Sequence, residues 1–167
     1  MPQLEKQISW CIKKGSERKR HRGLKITNPN ADLANEHLKK AEHNFKAMMS
    51  FQKTGFSDWS ASASFYCLYH CLLGILAKHG YESRNQVCTF AVAEDLINKK
   101  MVINLSLEDL KEIADLDVSE HMESSDIISI REDFQYSIKT TLDDEEYKKL
   151  HKKTTDLLSK LRAEILS

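Results

Sequence analysis

Glycine and proline are scarce, at five and two of 167 residues. Both interrupt regular backbone, and here they fall between periodic segments, which favours helices joined by short connections. No stretch of about 18 apolar residues is present, so a membrane span is not expected. The N-terminus, Met1-Pro2-Gln3-Leu4-Glu5-Lys6, lacks the apolar core of a secretory signal. An excess of one charge is also missing. Lys+Arg and Asp+Glu balance at 25 each, so no global field draws the chain to nucleic acid or membrane. There is no Gly-x-Ser-x-Gly elbow, Walker loop or glycine-rich dinucleotide fingerprint. The four cysteines, Cys11, Cys67, Cys71 and Cys88, lack a disulfide-scaffold rhythm. Three of them lie in apolar helical contexts, which suits reduced, buried thiols in the cytoplasm.

What the chain does have is helical periodicity. A chain of this length fits one domain and buries roughly 70% of its unfolded surface. Leu4, Ile8, Cys11 and Ile12 space a short first helix over 3–14, broken at Gly15. Lys13, Lys14, Arg18, Lys19, Arg20, Arg22 and Lys25 follow, opposed only by Glu17, and predict an exposed basic arm up to Asn28. Asn28-Pro29-Asn30 is a stop-and-start signal, with Asn30 a cap for the next helix. That helix carries Leu33, Ala34, His37, Leu38, Ala41, Phe45, Met48 and Met49 on one stripe and runs to about Gln52. Ser57 or Asp58 can cap the following one.

The run from Trp59 to Lys78 is the centre of the pattern. It is free of charge until Lys78, and Ala61, Ala63, Ser64, Cys67, Cys71, Gly74 and Ala77 let a neighbouring helix approach closely. Gly80 ends it. Ser83 can cap a helix over Cys88–Lys99, and Met101, Val102, Ile103 and Leu105 form a short link that can be extended. Ser106-Leu107-Glu108-Asp109 starts another helix, and Asp143 or Asp144 opens the last. The fold class is therefore all-α, an up-and-down bundle of about four to six helices. Residues 1–29 form an N-terminal helix and basic arm, and residues 30–167 the bundle.

Candidate chemistry is thin. Cys67, His70 and Cys71 share one helical face, a set of zinc-type donors, but no second CxxC or HxxxH pair accompanies them, so a core role is expected and no metal. His37 and His43 stand six apart and do not share a face. The basic arm, with Arg18, Lys19, Arg20 and Arg22 as its contacts, can neutralise phosphates. Arg131 can clamp an anionic group or pair with a carboxylate, and Tyr136 can stack on a ligand or fix a turn.

Several pieces together resemble the HEPN family, and especially its small archaeal members. They are Asn28-Pro29-Asn30-Ala31-Asp32-Leu33-Ala34, Leu38-Lys39-Lys40-Ala41-Glu42, Asp58-Trp59-Ser60-Ala61-Ser62-Ala63-Ser64-Phe65-Tyr66, Cys88-Thr89, and Arg131 with Gln135-Tyr136. The resemblance implies a helical bundle and a role tied to RNA or nucleotides. It brings in Arg84 and Asn85, just before Cys88-Thr89, as ligand-binding candidates beside Arg131 and Tyr136. It also implies a homodimer, and a binding partner that is RNA, a nucleotide, or a nucleotidyltransferase of a toxin–antitoxin pair.

Ribonuclease members carry an Arg followed five to seven positions later by His. Here Arg84 meets Thr89, Phe90 and Ala91 at those distances, and Arg131 meets Tyr136, Ser137 and Ile138. Arg18, Arg20 and Arg22 reach no His either. Without an imidazole that exchanges protons near neutral pH, acid–base cleavage loses its natural agent. The expectation is a non-catalytic, cytoplasmic binding domain without cofactor. An atypical ribonuclease using Arg131 and Tyr136 is the alternative.

Overall fold

The computed structural model describes residues 2–17, 22–116 and 140–167, which contain six helices and one two-stranded sheet. The helices are α1 (Pro2–Ser16), α2 (Ala31–Thr54), α3 (Asp58–Lys78), α4 (Gln86–Asn98), α5 (Leu107–Asp115) and α6 (Asp144–Leu166). Strands β1 (Leu24–Ile26) and β2 (Tyr81–Ser83) pair antiparallel, Leu24 opposite Ser83 and Ile26 opposite Tyr81. The expected all-α bundle is the observed architecture.

α3 is the core. Thirteen of its residues are buried, among them Phe65, Leu68, Leu72, Ile75 and Leu76. Among the described residues it is the one helix long and apolar enough to cross a membrane, and 72% of its most apolar 18-residue stretch is covered by the rest of the protein. α2 covers one side with Ala34, Leu38, Ala41 and Met48, a stripe at helical spacing. α6 covers another with Leu150, Leu157, Leu161 and Ile165.

Serines in α3 let this apolar helix keep polar groups inside. Ser60 Oγ donates to the Met48 carbonyl of α2 at 2.9 Å. Thr154 Oγ1 donates to the Leu150 carbonyl, so Ser64 Oγ must be the donor in its 2.6 Å bond to Thr154 Oγ1. Buried polar groups paired in this way add specificity at little cost.

Several ends differ from the expectation, each for a tertiary reason. α1 passes through Gly15 instead of breaking there, because a methyl group at Gly15 would overlap the Leu24 carbonyl of β1. Ser57 sits at the start of α3, but its Oγ makes no cap bond and accepts from Leu142 N at 2.8 Å. Ser83 lies on β2, and Asn85 caps α4 through a 3.1 Å bond from Cys88 N. The link over 101–105 is neither helix nor strand. The buried carboxylate of Glu164 satisfies it, accepting from Ile103 N, Asn104 N and Asn104 Nδ2.

Two larger corrections concern the N-terminal segment. It is no free arm throughout: Leu24 is buried and β1 is a strand, because β2 offers an unpaired edge. The thiols are not all reduced either. Cys11 of α1 and Cys88 of α4 form a disulfide with Cα atoms 5.6 Å apart, and only Cys67 and Cys71 are free. The bond joins residues 77 apart, which sequence spacing cannot reveal. Closing a loop that long removes about 4–5 kcal/mol of unfolded-state entropy.

α2 and α6 both pack closely on α3 at Gly74. A Cβ there would lie 3.1 Å from the Ala34 carbonyl oxygen and 3.1 Å from Ile165 Cδ1. Gly74→Leu is expected to lose about 1–3 kcal/mol through overpacking. An unchanged thermal midpoint would show that this contact is loose.

One turn away, His37 Nδ1 and His70 Nδ1 lie 3.1 Å apart, so one donates and the other accepts. Burial lowers His37, and burial with the neighbouring His37 and Lys40 pushes His70 down to about 4 from the ordinary 6.5. Both rings are neutral in the native protein at pH 7, whereas the unfolded chain takes protons near 6.5. The stability from this pair is complete above pH 6.5 and is lost as pH falls toward 4. The melting temperature should therefore drop across that window, and by less in His70→Gln. Equal pH profiles for the two proteins would refute the assignment.

Candidate functional site

The last turn of α1, the start of β1 and the end of β2 meet at one corner. Gly23 makes the meeting possible, since a Cβ there would overlap the Cys11 carbonyl oxygen and lie 2.6 Å from Gly15 N and 2.8 Å from the Lys14 carbonyl carbon. On its other side, the Gly23 carbonyl accepts from Arg84 N at 3.0 Å. This brings together segments from distant parts of the sequence that carry basic residues: Lys13 and Lys14 on α1, Arg22 and Lys25 around β1, and Arg84 after β2. Lys13, Arg22 and Arg84 are exposed.

Among the described residues, two acids pair with these five bases. Glu17 pairs with Lys14 at 2.9 Å, and Glu82, opposite Lys25 in the sheet, pairs with Arg84 Nε at 3.2 Å. Both pairs are exposed and hold their charges only weakly. α4 begins at Gln86, two residues after Arg84, and its first turn carries no acidic residue, so its dipole adds to the positive potential.

A chain of hydroxyls fixes Arg84 and Asn85 in place. Thr89 Oγ1 donates to Ser83 Oγ at 2.8 Å, and Ser83 Oγ donates to the Asn85 carbonyl at 2.9 Å. Tyr69 OH, 3.0 Å from Thr89 Oγ1, is then the donor at the head of the chain. Beside it, between α1, α4 and α5, an open groove of about 500 Å³ is lined by Gln7, Gln86, Phe90, Glu94, Leu110 and Lys111 among others.

Residues 34–164 match the HEPN domain family, which is most of the chain. The chain belongs to the HEPN domain family. A search of curated proteins gives no match. HEPN domains are associated with RNA binding or nuclease activity. The basic corner straddles the edge of the match: Arg84 lies inside it, whereas Lys13, Lys14, Arg22 and Lys25 precede it.

Of the candidates read from the sequence, the structure brings Arg22 and Arg84 to adjacent ends of the sheet. Asn85 is engaged as the α4 cap through its Oδ1. Arg18, Lys19 and Arg20 lie outside the described residues, as do Arg131 and Tyr136. His70 faces His37, and Cys67 and Cys71 are buried thiols. Among the described residues, no three His, Cys, Asp or Glu side chains converge to hold a metal. The hydroxyl chain of Tyr69, Thr89 and Ser83 had no sequence signal, because three hydroxyls on separate elements have no common period. Lys13, Lys14 and Lys25 were visible as charge, and only the close approach at Gly15 and Gly23 adds them to Arg84.

Asn85→Ala should cost about 1 kcal/mol, the usual effect of losing an N-cap acceptor. Stability equal to wild type in a denaturant titration would show that the cap contributes nothing here.

Proposed function

We propose that this HEPN domain is a non-catalytic RNA-binding protein whose contact surface is the basic corner. The observation that carries the reading is the convergence around Gly23 of the segments that carry Lys13, Lys14, Arg22, Lys25 and Arg84, with Glu17 and Glu82 as the acids paired to them among the described residues. In a chain of zero net charge, such local excess is an electrostatic footprint for a phosphate backbone. Lys13, Arg22 and Arg84 are exposed and Lys14 and Lys25 partly so, which suits a polymer better than an enclosed mononucleotide. No Arg in the sequence is followed at five to seven positions by His, which supports binding without cleavage.

The reading extends to assembly. Phe56, Trp59 and Tyr66 are each more than half exposed along and just before α3, and this aromatic face supports a homodimer. A cytoplasmic setting, with a nucleotidyltransferase partner from a toxin–antitoxin pair, belongs to the same reading.

The test is titration of a labelled single-stranded RNA by fluorescence anisotropy at several salt concentrations. The double substitution Arg22→Ala and Arg84→Ala should weaken binding roughly tenfold and flatten the salt dependence by about one to two units. Its melting temperature should stay within a degree or two of wild type, since both side chains are exposed. Equal affinity in the two proteins would remove the corner as the site. Metal-independent cutting of the RNA by wild type would overturn the non-catalytic reading.

A further inference from the structure

We propose that the Cys11–Cys88 disulfide is a redox switch for this corner, holding the basic end of α1 against the sheet when closed and releasing it when reduced by a dithiol. The inference rests on the reading of the corner as the RNA surface, and it adds how that surface is controlled.

The placement of the bond is the first argument. Cys11 lies one turn before Lys14 and Gly15, and Cys88 lies in the first turn of α4, directly after Arg84 and Asn85. The disulfide therefore sits beneath the corner and joins the helix that carries Lys13 and Lys14 to the segment that carries Arg84. Both cysteines are fully buried.

How little else holds α1 is the second. Among the described elements, the helix packs chiefly on β1 and α4, whereas α3 with α2 and α6 makes the main core. Cys11 and Gly15 are its buried residues among those described, Ile8 is partly buried, and Trp10 and Ile12 are exposed. A helix with so little buried apolar surface opens locally at low cost once its covalent tie is cut. The bundle keeps its own core, so release of α1 does not require unfolding. Before the bond is cut, the reductant reaches the sulfurs through local fraying of α1, whose buried surface beyond Cys11 and Gly15 is small.

The chemistry balances as ordinary exchange. A thiolate of the dithiol attacks one sulfur of the Cys11–Cys88 bond and forms a mixed disulfide, and the second thiol displaces it. The dithiol leaves as its cyclic disulfide, and its two electrons and two protons end on Sγ of Cys11 and Cys88. Cys67 and Cys71 stay out of the exchange. They are buried in the core, and burial pushes the Cys67 thiol up to about 12, so neither supplies a thiolate. In a reducing compartment, a disulfide that forms at all is usually transient or redox-sensing.

The experiment uses the full chain in three forms: air-oxidised, reduced with dithiothreitol, and the double variant Cys11→Ser with Cys88→Ser. Thiol titration after denaturation should find two free thiols in the oxidised protein and four in the reduced one. Trypsin should cut after Lys13 and Lys14 faster in the reduced protein and in the variant, with the far-ultraviolet helical signal nearly unchanged. Labelled single-stranded RNA should bind the reduced protein and the variant roughly five- to tenfold more weakly than the oxidised protein, as expected for loss of the α1 lysines from the contact. Dithiothreitol should not affect the variant. Four free thiols in the air-oxidised protein would overturn the proposal, as would equal proteolysis and equal RNA affinity across redox states. Global loss of helix on reduction would overturn it too, making the bond a structural staple. Because proteolysis is read without RNA, release of α1 with no RNA binding in any form supports the switch and removes only the proposed ligand. If the variant does not fold, the oxidised and reduced wild type decide the matter alone.

Discussion

α3 must be hidden from water, and the rest of the bundle answers that requirement. From Trp59 to Ala77 it contains no Asp, Glu, Lys or Arg, so only an enclosing set of helices can stabilise it in an aqueous protein. Burying its large side chains contributes about 1.5–3 kcal/mol each relative to exposure. α2 and α6 supply the cover, and small residues at Ala61, Ala63, Gly74 and Ala77 bring their backbones close. Where α3 carries hydroxyls, at Ser60 and Ser64, its neighbours supply partners on Met48 and Thr154.

This central demand leaves the functional surface to the periphery. The basic corner is assembled by elements that contribute little to the core: α1, the two short strands, and the turn into α4. Its geometry depends on two backbone contacts that only glycine permits, at Gly15 and Gly23, and on one covalent bond. Peripheral elements of this kind open more easily than the core. A disulfide added to those two close contacts therefore helps to set the shape of this surface.

Much of the fold was legible in the sequence because helix periodicity is local. The stripe Ala34, Leu38, Ala41 and Met48, the uncharged α3, and the capping sequences at Ser106 and Asp143 each carry their signal within a few turns. The HEPN resemblance was legible for the same reason, being a set of short patterns in fixed order. The site was legible only in pieces. Arg22 and Arg84 stood out as charges, yet they stand 62 positions apart in the sequence, and no local rule joins them. Ser57 and Ser83 looked like caps, and each is engaged instead by a partner from another element. Gly15 looked like a helix breaker and turned out to be a packing contact.

The sequence by itself determined that this chain is a helical bundle of the HEPN type with α3 at its centre, because hydrophobic periodicity and scarce Gly and Pro restrict the backbone locally. Tertiary structure alone decided that Leu24–Ile26 becomes a strand, that Cys11 bonds Cys88, and that bases from three segments share one corner. Each of these pairs groups far apart in the chain. Whether such groups meet is fixed by how the helices pack, and that information does not reside in any one stretch of residues.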